Sequence, residues 1–81
     1  MTAHVEHKSH APTRVGCAVM TCSDTRTPET DTSGQTIIRL LKDAGHAVVS
    51  YQLVKDEPKK IKAAVKKAVK NTRVQAVIIN G

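Results

Sequence analysis

Arg14-Val-Gly-Cys-Ala-Val-Met-Thr21 is an apolar run with no alternation of polar and apolar positions. Such a run fits a strand covered on both faces, as in parallel sheets. It leads into the turn Thr21-Cys22-Ser23-Asp24. A second run over residues 46–54, His-Ala-Val-Val-Ser-Tyr-Gln-Leu-Val, leads into Lys55-Asp56-Glu57-Pro58, and a third over 74–79, Val-Gln-Ala-Val-Ile-Ile, leads into Asn80-Gly81. Helical patterns separate the runs, so the order is β-α-β-α-β. Intervening helices of about 12 residues imply right-handed crossovers between parallel strands. The expected class is α/β with a mostly parallel sheet. All three turns then share one sheet edge, where ligands bind because helix N-termini and loop amides converge there.

The first helix opens at Asp31-Thr32-Ser33-Gly34, all residues whose side chains or size suit a helix start. Ile37, Ile38, Leu41 and Ala44 recur at helical spacing, Leu40 broadens the stripe, and Gly45 suits the left-handed residue that ends a helix. In the second helix Asp56 is the expected N-cap and Pro58 the first-turn residue. Its apolar stripe is Ile61, Ala64, Val65, Ala68 and Val69. The connection over residues 22–32 is long and polar, which in a compact domain points to a functional loop. Residues 1–13 read as a disordered tail, and residues 14–81 as the folded part. His4, His7 and His10 recur every third residue in that tail, but no cysteine or carboxylate cluster supports a structural metal there. The order calls for a further βα unit after Gly81.

The chain has 81 residues, and 40% are hydrophobic, below the ~45–50% of ordinary domains. It has no Trp, no Phe and one Tyr, Tyr51, so Val, Ile, Leu and Ala must form the core. A chain this short buries only about 60% of its unfolded surface. A thin core is expected, completed by more chain or by other subunits. The formal net charge is +6, a balance that attracts anions. Lys59, Lys60, Lys62, Lys66, Lys67 and Lys70 concentrate it on the second helix, where a solvated face is the ordinary reading. Cys17 and Cys22 are too few and too close for a disulfide framework. Cys17 reads as a buried thiol, and Cys22 lies at a strand exit with no base in view. A polar, His-rich stretch follows Met1, so no secretory leader is expected, and no apolar run approaches the ~20 residues of a membrane span. The expected location is cytoplasmic, with no membrane partner.

Asp56 and Asp24 are the candidate metal residues. An acidic group beside a phosphate-binding edge repels its ligand unless a cation lies between, and Mg2+ is held by one or two carboxylates plus substrate phosphates. Ser23, Thr32, Ser33 and Gly34 form the second candidate feature, in which amides at a helix start remain open to an anion. The sequence contains no Ser-His-Asp arrangement, CxxC pair or complete P-loop.

Val15 to Asp24, Asp31 to Gly34, Ala44-Gly45-His46, Val54-Lys55-Asp56 and Val74 to Gly81 occur in an order and spacing that resemble the molybdenum cofactor biosynthesis family of the MoaB/Mog type. The resemblance covers residues 14–81, the front half of such a domain. It implies a three-layer α/β/α fold assembled as a trimer or hexamer. It also implies Mg2+- and ATP-dependent adenylylation of molybdopterin, giving adenylyl-molybdopterin and pyrophosphate. Asp56 matches the residue the family needs for reaction. Thr21, Ser23 and Asp24, with Asp31, Thr32, Ser33 and Gly34, match segments lining the pterin and nucleotide pocket. Gly81 matches the first residue of the family's Gly-Gly-Thr-Gly loop. Later elements, including a second essential Asp, have no counterpart here, so the 81-residue chain alone is expected to be inactive. Other proteins of the cofactor pathway are the implied partners. The alternative is a non-catalytic molybdopterin-binding or carrier protein on the same fold. A nucleic-acid module is disfavoured, because only Tyr51 can stack on a base and no recognised motif is present.

Overall fold

The computed structural model describes residues 14–81, so the tail over 1–13 and its histidines lie outside the described residues. Strand β1, Gly16–Cys22, is the centre of a three-stranded parallel sheet. It is flanked by β2, Ala47–Val54, and β3, Ala76–Asn80, in the order β2-β1-β3. This central position explains the unbroken apolar run, because Cys17, Ala18, Val19, Met20 and Thr21 are each at most 2% exposed. Helix α1, Thr32–Asp43, joins β1 to β2, and helix α2, Pro58–Val69, joins β2 to β3. The two crossovers run in opposite directions along the sheet, so a common hand places their helices on opposite faces. Ala18 and Met20 pack with Ala68, Ile61, Ala64 and Val65 of α2. Thr21, pointing the other way, lies against Gly34 of α1. The layers are therefore α/β/α.

Each strand begins slightly later than its apolar run. Side chains complete the backbone pairing at the entry edge: the Val15 and Gly16 carbonyls accept from the Ala47 and Gln75 amides, while the Val15 amide donates to His46 Nδ1 at 3.0 Å and the Gly16 amide to Gln75 Oε1 at 2.7 Å. His46 is thus a strand-entry residue at the edge opposite the three exits. A bulge at Val49 interrupts the β1–β2 register, with Cys17 opposite Val48 and Ala18 opposite Ser50.

Helix α1 ends as expected. Gly45 has φ of +88°, its amide donates to Lys42 O at 3.0 Å, and the His46 amide donates to Leu41 O at 2.9 Å. That pair of bonds is a Schellman motif, which requires a residue in the left-handed region. Two apolar positions depart from the expected stripes. Leu40 is 59% exposed and Val69 62%. Leu40 lies about 100° round the helix from Leu41, and Val69 the same from the buried Ala68, which puts both on flanks.

The N-cap of α2 is Glu57, not Asp56. Pro58 lacks an N–H and opens the helix itself, which moves the cap to the residue before it. Proline also forces that residue out of the helical region, and Glu57 is extended with φ −130° and ψ 128°. Its side chain makes no capping bond. Asp56 is left in the turn with an exposed side chain free of capping duty. The six lysines on and after α2 are all exposed, and Lys66 and Lys67 sit in the last turn, where positive charge offsets the helix dipole.

Candidate functional site

The exits of β1 and β2 leave the sheet as a pair. Cys22 lies opposite Val54, and the Ser23 amide extends the ladder by donating to Val54 O at 2.9 Å. Immediately beyond, the Asp56 amide donates to Asp24 Oδ1 at 3.0 Å. Two acidic residues far apart in sequence are thereby held side by side, both exposed. Only one oxygen of Asp24 is spent in the contact, and the Asp56 carboxylate is not used.

The exit of β3 joins them. Asn80 lies opposite Thr21, and its Nδ2 donates to Thr21 Oγ1 at 3.2 Å and to Ser33 Oγ at 2.8 Å. Gly81 follows, and a Cβ there would lie 3.8 Å from Cys22 Cβ. Cys22, between the exits, is half-buried. Burial pushes its thiol above the usual value, with the Asp56 charge adding to the effect. A raised thiol is a poor nucleophile near neutral pH, which agrees with a structural reading of this residue. The three exits and the start of α1 thus occupy one edge.

The long connection before α1 is internally built. Ser23 Oγ accepts from the amides of Thr25 at 3.2 Å and Arg26 at 3.1 Å, and the amides of Thr30 and Asp31 both donate to Thr27 O. Ser23 therefore organises the loop. Asp31 closes it as the N-cap of α1 and is 0% exposed. Its Oδ1 accepts from the Gly34 amide at 3.1 Å and pairs with Arg26 Nη1 at 3.5 Å. Its Oδ2 accepts from the Tyr51 hydroxyl at 2.5 Å. Burial alone would raise the Asp31 carboxyl, but hydrogen bonds from Tyr51, Thr21 and Gly34 and the Arg26 charge outweigh it, and the net shift is downward. Burial and the same carboxylate push the Tyr51 phenol up to about 12.

This network changes the expected roles of several site residues. The start of α1 is mostly self-capped rather than open to an anion. The Thr32 amide donates to Thr30 O, the Gly34 amide to the Asp31 carboxylate, and the Gln35 amide to Asp31 O. Only the Ser33 amide is without a partner among the described residues. Gly34 is small because Asp31 and Thr21 press on it. A Cβ there would overlap Asp31 Oδ2 and come within 2.8 Å of Thr21 Oγ1. Asp31, Gly34 and Thr21 are buried beneath the edge, whereas Asp24, Asp56, Thr32 and Gly81 are exposed on it, and Ser23 and Ser33 are half-buried. The Tyr51 hydroxyl is committed to Asp31.

Sequence reading did not single out Asn80, Arg26 or the Tyr51–Asp31 pair as site residues. The alternation of β2 was available as a signal, since it puts Tyr51 on the α1 face. Among the described residues no group of three or more His, Cys, Asp or Glu forms a metal cage, and no helix is long and apolar enough to cross a membrane. A hollow of about 530 Å3 beside Ser50, Gln52, Lys67 and Lys70 lies over the middle of β2, away from the exits.

A family described as "Probable molybdopterin binding domain" matches residues 18–81. Molybdenum cofactor biosynthesis protein B of Bacillus anthracis is 50% identical over 76 residues, covering 94% of this chain and 45% of the relative. The protein of the same name from Escherichia coli K12 is 39% identical over 70 residues, covering 86% and 40%. A crystal structure of molybdenum cofactor biosynthesis protein B superposes with a TM-score of 0.84 at 49% identity, covering 89% of this chain and 45% of that one. The chain spans a little under half the length of these relatives. With a family match over most of the chain and the same fold at close to half identity, the chain belongs to the molybdenum cofactor biosynthesis family that carries this molybdopterin-binding domain.

Proposed function

We propose that the full-length protein acts in molybdenum cofactor biosynthesis by transferring adenylate from ATP to molybdopterin. A phosphate oxygen of molybdopterin attacks the α-phosphorus of ATP. The bond from that phosphorus to the bridging oxygen breaks, and pyrophosphate leaves. Such transfer needs positioning and charge neutralisation more than covalent help from the protein.

The observation that carries this reading is the Asp24–Asp56 contact, in which the Asp56 amide donates to the Asp24 carboxylate and brings two acidic residues together on the edge where the three strands end. Their hard oxygens fit Mg2+, which takes one or two carboxylates and completes its shell with phosphates and water, so no larger cage is needed. Asp56 and Asp24 are the residues that would hold it, and its chemistry there is charge neutralisation on the phosphates. The protein's own share is orientation. The β1–β2 pairing fixes the two acidic turns, and the unpartnered Ser33 amide offers one donor to a phosphate oxygen. A trimeric or hexameric assembly belongs to the same proposal, and sedimentation of the full-length protein tests it.

The test is turnover of ATP and molybdopterin by the full-length protein, read as pyrophosphate release and adenylyl-molybdopterin formation. Loss of turnover in Asp56→Ala with both ligands still bound supports the proposal. Binding of molybdopterin without any adenylate transfer in the unaltered protein replaces it with the carrier reading.

A further inference from the structure

Asn80 closes β3 at the candidate edge, and its carboxamide is held in a single orientation by a chain of hydrogen bonds that starts at Asp31. Asp31 is fully buried, and a buried ionised carboxylate can only accept. Ser33 Oγ donates to Asp31 Oδ1 at 3.5 Å. Thr21 Oγ1 and the same carboxylate flank the space that a Cβ on Gly34 would fill. The Thr21 hydroxyl is also among the donors that keep Asp31 ionised. With their protons directed at Asp31, both hydroxyls have only lone pairs left for Asn80.

The partner atom of Asn80 must then be its nitrogen, and both Nδ2 hydrogens are consumed, at 3.2 Å to Thr21 Oγ1 and 2.8 Å to Ser33 Oγ. Ser33 Oγ also accepts from Arg26 Nη1 at 3.3 Å, which fills its remaining lone pair and removes any reason for it to turn. A hydroxyl network of this kind ordinarily leaves an amide free to flip. Here the buried charge removes that freedom. The other end of the carboxamide, Oδ1, accepts no hydrogen bond from the described residues. No fully buried side-chain oxygen among them lacks a partner, so Oδ1 is not sealed off by the described residues.

We propose that Asn80 Oδ1 is a fixed acceptor that reads an N–H donor on a bound nitrogen heterocycle, with Asp31, Thr21 and Ser33 setting its polarity. This rests on the proposed function for the identity of the ligands. Molybdopterin and ATP each carry a heterocycle with an exocyclic amino group, so the shared chemistry is an amino N–H beside a ring nitrogen. An acceptor that cannot turn into a donor favours such a ligand over one presenting a carbonyl or no polar group at that position.

The experiment measures equilibrium binding to the full-length protein with two ligand pairs. One pair is ATP and purine riboside triphosphate, which lacks the amino group. The other is hydroxymethylpterin and hydroxymethyllumazine, in which a carbonyl replaces it. The unaltered protein is expected to favour the amino-bearing member of one pair by about tenfold, and Asn80→Ala to abolish that preference in the same pair. The pair that responds identifies the source of the donor. A second measurement does not depend on the variant folding. The carboxamide carbon of Asn80, followed by NMR in the unaltered protein, is expected to shift with the amino-bearing ligand and not with its counterpart. Binding with equal preference in both pairs, or a preference that survives Asn80→Ala in a folded variant, overturns the proposal and leaves the adenylylation reading intact. Failure of all four ligands to bind overturns both.

Discussion

The phenol of Tyr51 donates to Oδ2 of Asp31 at 2.5 Å, tying the middle of β2 to the first residue of α1 across 20 positions of chain. The bond supplies one of five partners, with Gly34, Ser33, Arg26 and Thr21, of a carboxylate that has no access to water. Removing one partner of a buried charged acceptor leaves the desolvation cost without its compensation. Tyr51→Phe is therefore expected to destabilise the fold by about 1–3 kcal/mol, read from urea unfolding at neutral pH. An unchanged midpoint would show that Arg26, Ser33, Gly34 and Thr21 satisfy Asp31 without it.

The same pair sets a pH dependence at both ends of the scale. The Asp31 carboxyl is lowered in the folded state, so its contribution is fully present above the ordinary value of 3.8 and is lost as pH falls through and below it. The Tyr51 phenol is raised from 10.0 to about 12, so its contribution is present below 10.0 and is lost as pH climbs towards 12. Unfolding measured across pH should show stability declining on the acid side and again on the alkaline side. Asp31→Asn should flatten the acid limb, and Tyr51→Phe the alkaline one. Parallel curves for variant and parent would mean other groups govern both limbs.

Gly34 and Gly45 separate two reasons for glycine. At Gly34 the helix itself favours Ala by about 1 kcal/mol. A Cβ there would overlap the Asp31 carboxylate, whose position is fixed by its partners, and close contact with Thr21 Oγ1 adds to the strain. Overpacking of this kind costs about 1–3 kcal/mol, so the collision outweighs the propensity. Gly34→Ala is expected to lower Tm. At Gly45 a Cβ meets nothing within 4 Å, but φ is +88°. Gly45→Ala should cost about 1–2 kcal/mol through the backbone alone, and Gly45→Asn should recover part of it. Equal stability of the Ala and Asn variants would contradict that account.

What was legible in the sequence was local. The unbroken run at β1, the alternation of strand and helix, and Gly45 each follow from residues within a few positions of one another. The start of α2 was missed by one position, because Pro58 and not Asp56 decides where the cap falls. The hydrogen bonds that shape the edge were not legible. Asn80 meets Thr21 across 59 positions and Tyr51 meets Asp31 across 20, and their pairing depends on which strand lies beside which. Strand order, with β1 in the middle, is a property of the folded sheet. The same holds for the start of α1, where the capping residues that advertise a helix also consume the amides an anion would have used.

Asp56 gives the sharpest division between stability and function. Its backbone amide holds Asp24, but its carboxylate makes no capping bond and is exposed. Asp56→Ala keeps the amide and removes only the carboxylate, so the change in stability should stay within about 0.5 kcal/mol, as for ordinary surface sites. Had Asp56 been the N-cap, the same change would cost about 0.5–2 kcal/mol. Asp24→Ala differs, because it removes the acceptor at 3.0 Å and frees the turn that carries Asp56. In the full-length protein both substitutions should abolish adenylate transfer, but only Asp24→Ala should also lower the unfolding midpoint. Matched stability loss in the two variants would place the Asp56 side chain in the fold, and unimpaired transfer by Asp56→Ala would remove it from the reaction.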